Sequence, residues 1–378
     1  MAMPLAAYGV FLPVLSEALG WSRGAISTAL SINLLVGGLA GFGIGALADR
    51  YGPRVMLVVT VVLAGGAFAL VSMVGALWQL YLFVGLLGGI GTSSFYLLSA
   101  TTIARWFRER RGLALSLVLV GFNLGYVSAG PLAAWLIAEF GWRAAYAALG
   151  GGAGLIALLG AVSVRMPHRA ETVAADPRAH ASGADGLSLG QALLDPRQWC
   201  LNVSWLLQGG LVFMVTVHIV PFARDQGLSL AGASLALSTY GAGAFAGRLV
   251  GGVASDRLGT LATIRAGFIA MTLATVVLVW VPSRVAMLAS MAAFGAGFAA
   301  ADTMVAKVIP DVFGLRAIGA IMGVLNFGWR LGAALGPAAA GFLFDRTGSY
   351  TLAFGVAPFA VLLAWAFFAL GTSRVRLT

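Results

Sequence analysis

Three stretches carry side chains out of keeping with their surroundings: Arg248 in GAFAGRLVGGVASD, Arg330 in NFGWRLGAALGP and Asp302 in AAADTMVAKVIP. An ionisable group at the centre of a bilayer costs about 2.5 to 3.5 kcal/mol on insertion scales, so one that persists there needs a water-filled space or a partner. A guanidinium stays charged at any working pH and presents a planar fork that matches a carboxylate. The ligand this chemistry points to is a small organic anion. The alternative is an internal ion pair between Arg248 and Asp302, an acid at about the same depth. Such a pair would couple binding to protonation if it opened when an anion arrived.

Other polar side chains complete a candidate pocket for a short carboxylate. They are Tyr96 in GTSSFYLLSA, Asn123 and Tyr126 in GFNLGY, Tyr240 in LSTYGAG, and Asn326 with Trp329 beside Arg330. His218 in VHIVPF titrates near neutrality, which makes it a candidate for substrate contact or proton transfer; the plainer reading is a histidine hydrogen-bonded in place. Three histidines, one cysteine and no cluster of intramembrane carboxylates leave nothing from which to build a catalytic centre. No enzyme activity, cofactor or metal site is expected, and Cys200 alone excludes an internal disulfide.

The elements that hold these residues are legible from composition. With 60% hydrophobic residues, 10% charged and a mean hydropathy of +0.95, the chain reads as a membrane protein. Apolar stretches long enough for a ~30 Å hydrocarbon core recur along its length. Twelve spans are expected: 1–17, 24–48, 54–76, 78–104, 112–138, 143–164, 199–222, 231–255, 261–282, 285–309, 317–344 and 350–371. The first could be taken for a signal peptide, but no basic segment precedes it and eleven spans follow. Arg248 lies about 12 Å from the end of its span marked by Asp256, and Arg330 about 21 Å beyond Arg316, at 1.5 Å per residue.

A formal charge of +10 would suggest nucleic acid in a soluble protein. Here most of the 23 basic residues fall in alternate connections, including Arg50, Arg54, Arg105, Arg108, Arg165, Arg257, Arg265 and Arg316. The positive-inside rule then sets both termini in the cytoplasm. The cell's cytoplasmic (inner) membrane is the expected location, with the lipid bilayer and not nucleic acid as the partner.

One long polar stretch, residues 166–198, divides six spans from six. Shifting the sequence by 207 positions lays GWSRGAISTALS over GLSLAGASLALS and GALADRYG over GGVASDRLG. A parallel repeat of this kind implies two six-helix bundles, residues 1–165 and 199–378, joined by a cytoplasmic linker, with the natural cavity between them. The repeat mates of Arg248 and Arg330 are uncharged, which argues against a purely architectural role for the two arginines.

GALADRYGPR resembles the signature loop of the major facilitator superfamily, and GGVASDRLG is an imperfect second copy. Asp49, Arg50 and Arg54, with Asp256 and Arg257 in the second copy, sit at helix ends where ion pairs could hold one closed state and release in the other. Within that superfamily, YGVFLPVLSEALGWSRGAIS, ARWFRERRGLALSLV, FGWRAAYAALGG and LGQALLDPRQW resemble the monocarboxylate transporter family, including its oxalate:formate antiporter branch. The resemblance implies an all-α membrane fold of twelve helices, a substrate-binding arginine at Arg248 and, in the antiporter branch, a basic residue for a second carboxylate at Arg330. Family members that cotransport protons often carry an Asp one turn before the helix-eight arginine and a Lys in helix one. Here those features are replaced by Ala244 and by no lysine, which leaves Asp302 or His218 as proton-coupling candidates. The family's acidic-Gly-Trp motif at the start of helix one is also absent, so the sequence is expected to begin inside that helix.

The expected function is alternating-access transport of a small monocarboxylate such as lactate or pyruvate, by a monomer, driven by a proton or a counter-anion. An oxalate:formate type exchanger is the alternative. A membrane sensor that binds without moving solute is the alternative of a different class, with no signalling domain to support it. A cationic-drug exporter would want acids in its cavity, whereas the embedded charge here is net positive.

Overall fold

A computed structural model describes residues 2–93, 98, 111–163, 186–281, 283–314 and 316–373. Twelve apolar helices follow one another among them. They are α1 (Tyr8–Leu19), α2 (Arg23–Tyr51), α3 (Pro53–Leu70), α4 (Leu77–Thr92), α5 (111–140), α6 (142–163), α7 (Pro196–Asp225), α8 (Leu230–Leu258), α9 (Thr260–Trp280), α10 (Arg284–Phe313), α11 (Ile318–Thr347) and α12 (Thr351–Thr372). Short helices Ala2–Ala6 and Leu189–Leu194 precede α1 and α7. Among the described residues, eight helical stretches are long and apolar enough to cross a membrane, one of them, Leu124–Ser163, running through the second half of α5 and all of α6. α8, 29 residues rich in glycine, serine and other small residues, falls outside that set.

Local chemistry sets the helix ends. Ser22 caps α2 by accepting the Ala25 N–H, and Pro53 opens α3, where its missing N–H costs nothing. Six glycines of positive φ form three pairs under the same 207-residue shift: Gly20 (70°) with Gly227 (87°), Gly52 (89°) with Gly259 (87°), and Gly141 (76°) with Gly348 (69°). A side chain would strain this left-handed backbone, so the repeat in sequence recurs as a repeat in conformation. Gly141 is the break that separates α5 from α6 within one continuous helical run. In α4 the turns widen over Tyr81–Leu87, and the buried Asn33 of α2 donates from Nδ2 to the Val84 carbonyl at 2.7 Å.

The chain gathers into two compact units. The first comprises Met1–Val173, Thr216–Ser238 and Pro337–Ser349. Inside it Phe11 stacks on Tyr146 with centroids 3.8 Å apart, and the Tyr8 hydroxyl donates to the Ile26 carbonyl at 2.6 Å. Ile44, Ala48, Met56, Leu57, Val61 and Ala161 form a further apolar cluster. The unit also joins the end of α7 to α1 where Gly9 meets Val217, the start of α8 to α5 where Gly130 meets Ser234, and the end of α11 to α2 where Gly341 meets Gly24.

The second unit comprises Ala174–Val215, Thr239–Gly336 and Tyr350–Thr378. Small residues let its helices approach closely: Gly267 of α9 against Gly297 of α10, and Gly332 and Gly336 of α11 against Leu206 and Gly210 of α7. Phe268, Trp365 and Phe368 pack together between α9 and α12.

Candidate anion-binding site

The geometry around Arg248 begins with glycine. Gly243, Gly247 and Gly251 of α8 face Ala292, Ala296 and Ala300 of α10, so closely that a Cβ on any of them would press into the partner's backbone. The two helices therefore run parallel in a fixed register. Arg248 follows Gly247, and Asp302 lies two positions beyond Ala300. Their Cα levels differ by about five residues, or ~7 Å along the axis, a drop that an arginine side chain can cover.

Arg248 Nη2 meets Asp302 Oδ2 at 3.3 Å. The expected ion pair is therefore present, as a single long contact and not a bidentate fork. Arg248 Nε is buried and has no hydrogen-bond partner. The two side chains remain 24% and 31% exposed. A buried N–H without an acceptor is destabilising by about 1 to 3 kcal/mol, and more for a charged group, so this guanidinium retains capacity for a further anion.

Two turns further along the same helices the signs reverse. Lys307 Nζ, the chain's one lysine, lies 3.3 Å from Asp256 Oδ1 and donates to Ser255 Oγ at 3.0 Å. Lys307 was not among the sequence candidates. Its signal was available: one lysine among 23 basic residues, five positions after the embedded Asp302.

Phe298, one turn before Asp302 on α10, stacks on Trp329 of α11 with centroids 5.4 Å apart. Beside Trp329, half-buried Arg330 donates from Nε to Asn326 Oδ1 at 3.3 Å, and Asn326 is exposed. The second unit thus holds three contacts on these helices: Arg248 with Asp302 between α8 and α10, Phe298 with Trp329 between α10 and α11, and Arg330 with Asn326 within α11. Tyr240 belongs to the same unit but is 6% exposed, with its ring 6.1 Å from Phe294, so it packs the α8–α10 interface.

The remaining candidates lie elsewhere. His218 is in the first unit, fully buried, with Nε2 2.8 Å from the Pro337 carbonyl and 3.4 Å from Ser27 Oγ. Tyr96 and the side chains of Asn123 and Asp49 lie outside the described residues, and Tyr126 is half-buried. Arg50 is exposed beside the Tyr51 ring at 5.3 Å, and Arg54 donates from Nη2 to the Val162 carbonyl at 2.7 Å, tying the start of α3 to the end of α6. Arg257 is exposed, and Cys200 is a half-buried free thiol.

Comparison with known proteins agrees with this architecture. The family model of the Major Facilitator Superfamily matches residues 1–234 and 210–376. The chain is 30% identical to human monocarboxylate transporter 11 over 344 residues, covering 87% of this chain and 70% of that protein. It is 29% identical to the oxalate:formate antiporter of Oxalobacter formigenes over 255 residues, covering 66% and 59%. In fold it is similar to a bacterial homologue of the human lysosomal transporter Spinster, in an inward-facing and unoccupied conformation, with a TM-score of 0.75 at 16% identity over 98% and 94% of the two chains. These relatives are transporters and not enzymes, and the family-model match spans nearly the whole sequence. The chain belongs to the major facilitator superfamily, as a multi-pass membrane transporter of the monocarboxylate-transporter type.

Proposed function

We propose that this chain is a secondary active transporter of small monocarboxylates such as lactate or pyruvate, coupled to protons and working by alternating access. The observation that carries the reading is the half-satisfied Arg248 guanidinium, whose buried Nε lacks a partner while one long contact reaches Asp302. A substrate carboxylate would take both nitrogens of the fork and displace Asp302. The displaced carboxylate would then accept the coupled proton, so Asp302 replaces the acid that the family places at the position of Ala244. Asn326, Tyr240, Tyr96 and Asn123 are the accessory candidates, and Asp49, Arg50, Arg54, Asp256 and Arg257 the gating ones. Two six-helix bundles, 1–165 and 199–378, joined through 166–198, would form the moving parts in a single chain in the cytoplasmic membrane with both termini inside.

A second reading has its own support in Arg330, a further cation embedded in α11 beside exposed Asn326. Two cations suit one dicarboxylate, and exchange of the oxalate:formate type follows. Uptake of labelled lactate into proteoliposomes, with and without an inward proton gradient, tests both. Gradient-driven accumulation, competed by pyruvate and not by oxalate, is the expected result. Uptake indifferent to the gradient but driven by internal formate would favour the exchanger, and no saturable uptake of any carboxylate would overturn both.

A further inference from the structure

We propose that Arg265 of α9 and Trp365 of α12 form a binding site for the phosphate group of one anionic phospholipid of the surrounding bilayer. The site lies wholly within the second compact unit and involves none of the residues assigned to substrate.

Arg265 lies on the lipid face of its helix. α9 is long and apolar enough to cross the membrane, and Arg265 stands five residues inside its start, not in the connection before it. The side chains of Arg265, Ile269, Leu273, Val276 and Trp280 are exposed, and their spacing of four, four, three and four places them on one face. Ile264, Phe268, Met271, Thr275 and Leu278 form another face, which is buried. Charges within membrane spans ordinarily turn to the bundle interior or to a water-filled space. This one is aligned with the apolar stripe that lipid covers.

Its depth matches the phosphate level. The stripe from Arg265 to Trp280 is ~22 Å long at 1.5 Å per residue, and helical side chains tilt toward the helix start, which carries the guanidinium outward by up to about one more turn. The distance from cation to Trp280 thus approaches the ~30 Å of a hydrocarbon core. An arginine marks one rim and a tryptophan the other. At that rim the anions available are lipid phosphates, whose oxygens suit the planar fork of a guanidinium.

The guanidinium is oriented but lacks an anion. None of the ion pairs among the described residues includes Arg265; its Cζ lies 5.9 Å from the centroid of the Trp365 ring, at the outer limit of a cation–π contact. Trp365 is held in turn by Phe268 at 5.4 Å and Phe368 at 5.9 Å. The first unit treats the matching corner differently. There α3 and α6 are the repeat mates of α9 and α12, and Arg54 donates to the Val162 carbonyl of α6 at 2.7 Å, so that corner carries its own acceptor. The position matching Arg265 under the 207-residue shift is Val58, which leaves the exposed cation to the second unit. Exposed Leu362, one turn from Trp365 toward the bilayer centre, joins Ile269 and Leu273 as a wall for the acyl chains. A lipid of net negative charge is preferred because a zwitterionic headgroup brings a cation of its own to the guanidinium.

The test is native mass spectrometry of the purified full chain in detergent, titrated with dioleoyl phosphatidylglycerol, dioleoyl phosphatidylcholine or inorganic phosphate. One phosphatidylglycerol is expected to bind about tenfold more tightly than phosphatidylcholine, the worth of one charge-assisted contact, and Arg265→Gln to abolish the preference. Arg265→Lys keeps part of it, as a point charge without the fork. Trp365→Leu weakens the binding about threefold by releasing the guanidinium, and gives a second measurement should Arg265→Gln fold poorly. Arg346→Gln, the same loss of charge at an exposed helix end, changes nothing. Inorganic phosphate at the lipid's concentration does not displace it, because the chains hold the headgroup in place. Equal affinity for the two lipids, a preference retained in Arg265→Gln or lost equally in Arg346→Gln, or ready displacement by phosphate would each overturn the site. A lipid-free dimer that depends on Arg265 would overturn it as well, assigning this face to a second copy of the chain. Selective lipid binding without lactate uptake would count against the substrate reading alone, and intact uptake without selective lipid binding against this site alone.

Discussion

Arg248 of α8 touches Asp302 of α10 through a single nitrogen at 3.3 Å, across two parallel helices whose glycine and alanine faces leave no room to slide. The contact can break by rotation of side chains alone, with no parting of the helices. The Lys307–Asp256 pair on the same two helices is 49% and 76% exposed, so it contributes little energy and serves mainly to repeat the register.

Replacing the guanidinium should therefore be felt in transport more than in folding. Arg248→Ala is expected to lower the initial uptake rate about 100-fold, the equivalent of losing a charged hydrogen-bond pair, and Arg248→Lys to retain part of it as a point charge without the fork. Parental rates in both variants would remove Arg248 from the site.

Removing the internal competitor should separate binding from coupling. Asp302→Asn leaves Arg248 without its anion, so the ligand-free protein is expected to lose about 1 to 2 kcal/mol of stability, a figure reduced from that of a sealed pair because both side chains are partly exposed. Added lactate should restore the melting temperature, while accumulation driven by a proton gradient disappears and counterflow exchange persists. Retained gradient-driven accumulation would assign the proton to another group.

The register of α8 on α10 can be tested by bulk. Gly247→Val forces a side chain into the Ala296 backbone and should destabilise the protein in detergent by about 3 kcal/mol or more. Gly252→Ala, where a Cβ meets nothing within 4 Å, should be neutral or slightly stabilising. Equal melting temperatures for the two variants would contradict the close approach.

Backbone sign makes a similar contrast. Gly348→Ala places a side chain at a φ of 69° and should cost about 1 to 2 kcal/mol, although no atom lies within 4 Å of the added carbon. Gly151→Ala, a helical glycine in equally open space, should instead stabilise by up to about 1 kcal/mol. Thermal unfolding followed by intrinsic fluorescence distinguishes them.

The second embedded arginine separates two substrate classes. Arg330→Gln should leave lactate uptake within about twofold; on the exchanger reading, in which oxalate competes through both cations, it should also abolish that competition. Loss of lactate uptake as well would make Arg330 part of the monocarboxylate site.

Much of this could be read from the chain. The twelve spans correspond in order to α1 to α12, most ends agreeing to within about four residues where described, since a bilayer demands long apolar runs of any sequence that crosses it. The start of α1 (Tyr8 against 1) and the end of α3 (Leu70 against 76) are the larger departures. The 207-residue repeat surfaced again in paired left-handed glycines that had been matched only by letter or not at all, Gly141 with Gly348 among them. Arg248, Arg330 and Asp302 stood out because charge is rare in apolar surroundings. Arg23, Asp225 and Asp345 did not, because charged residues at helix ends are ordinary, and only the contacts of Arg23 with both acids mark them.

The sequence by itself determined which segments lie in the membrane, that their plan is repeated and which charges are embedded at a cost, because these depend on composition along one line. Tertiary structure alone decided that Arg248 pairs with Asp302, that His218 rests on the Pro337 carbonyl and that Asp345 caps a helix more than 300 positions away. Those outcomes depend on helix register and rotation. Both are set by contacts between bare glycine and alanine backbones, and the contact partner of each such residue is written nowhere in its own neighbourhood of the chain.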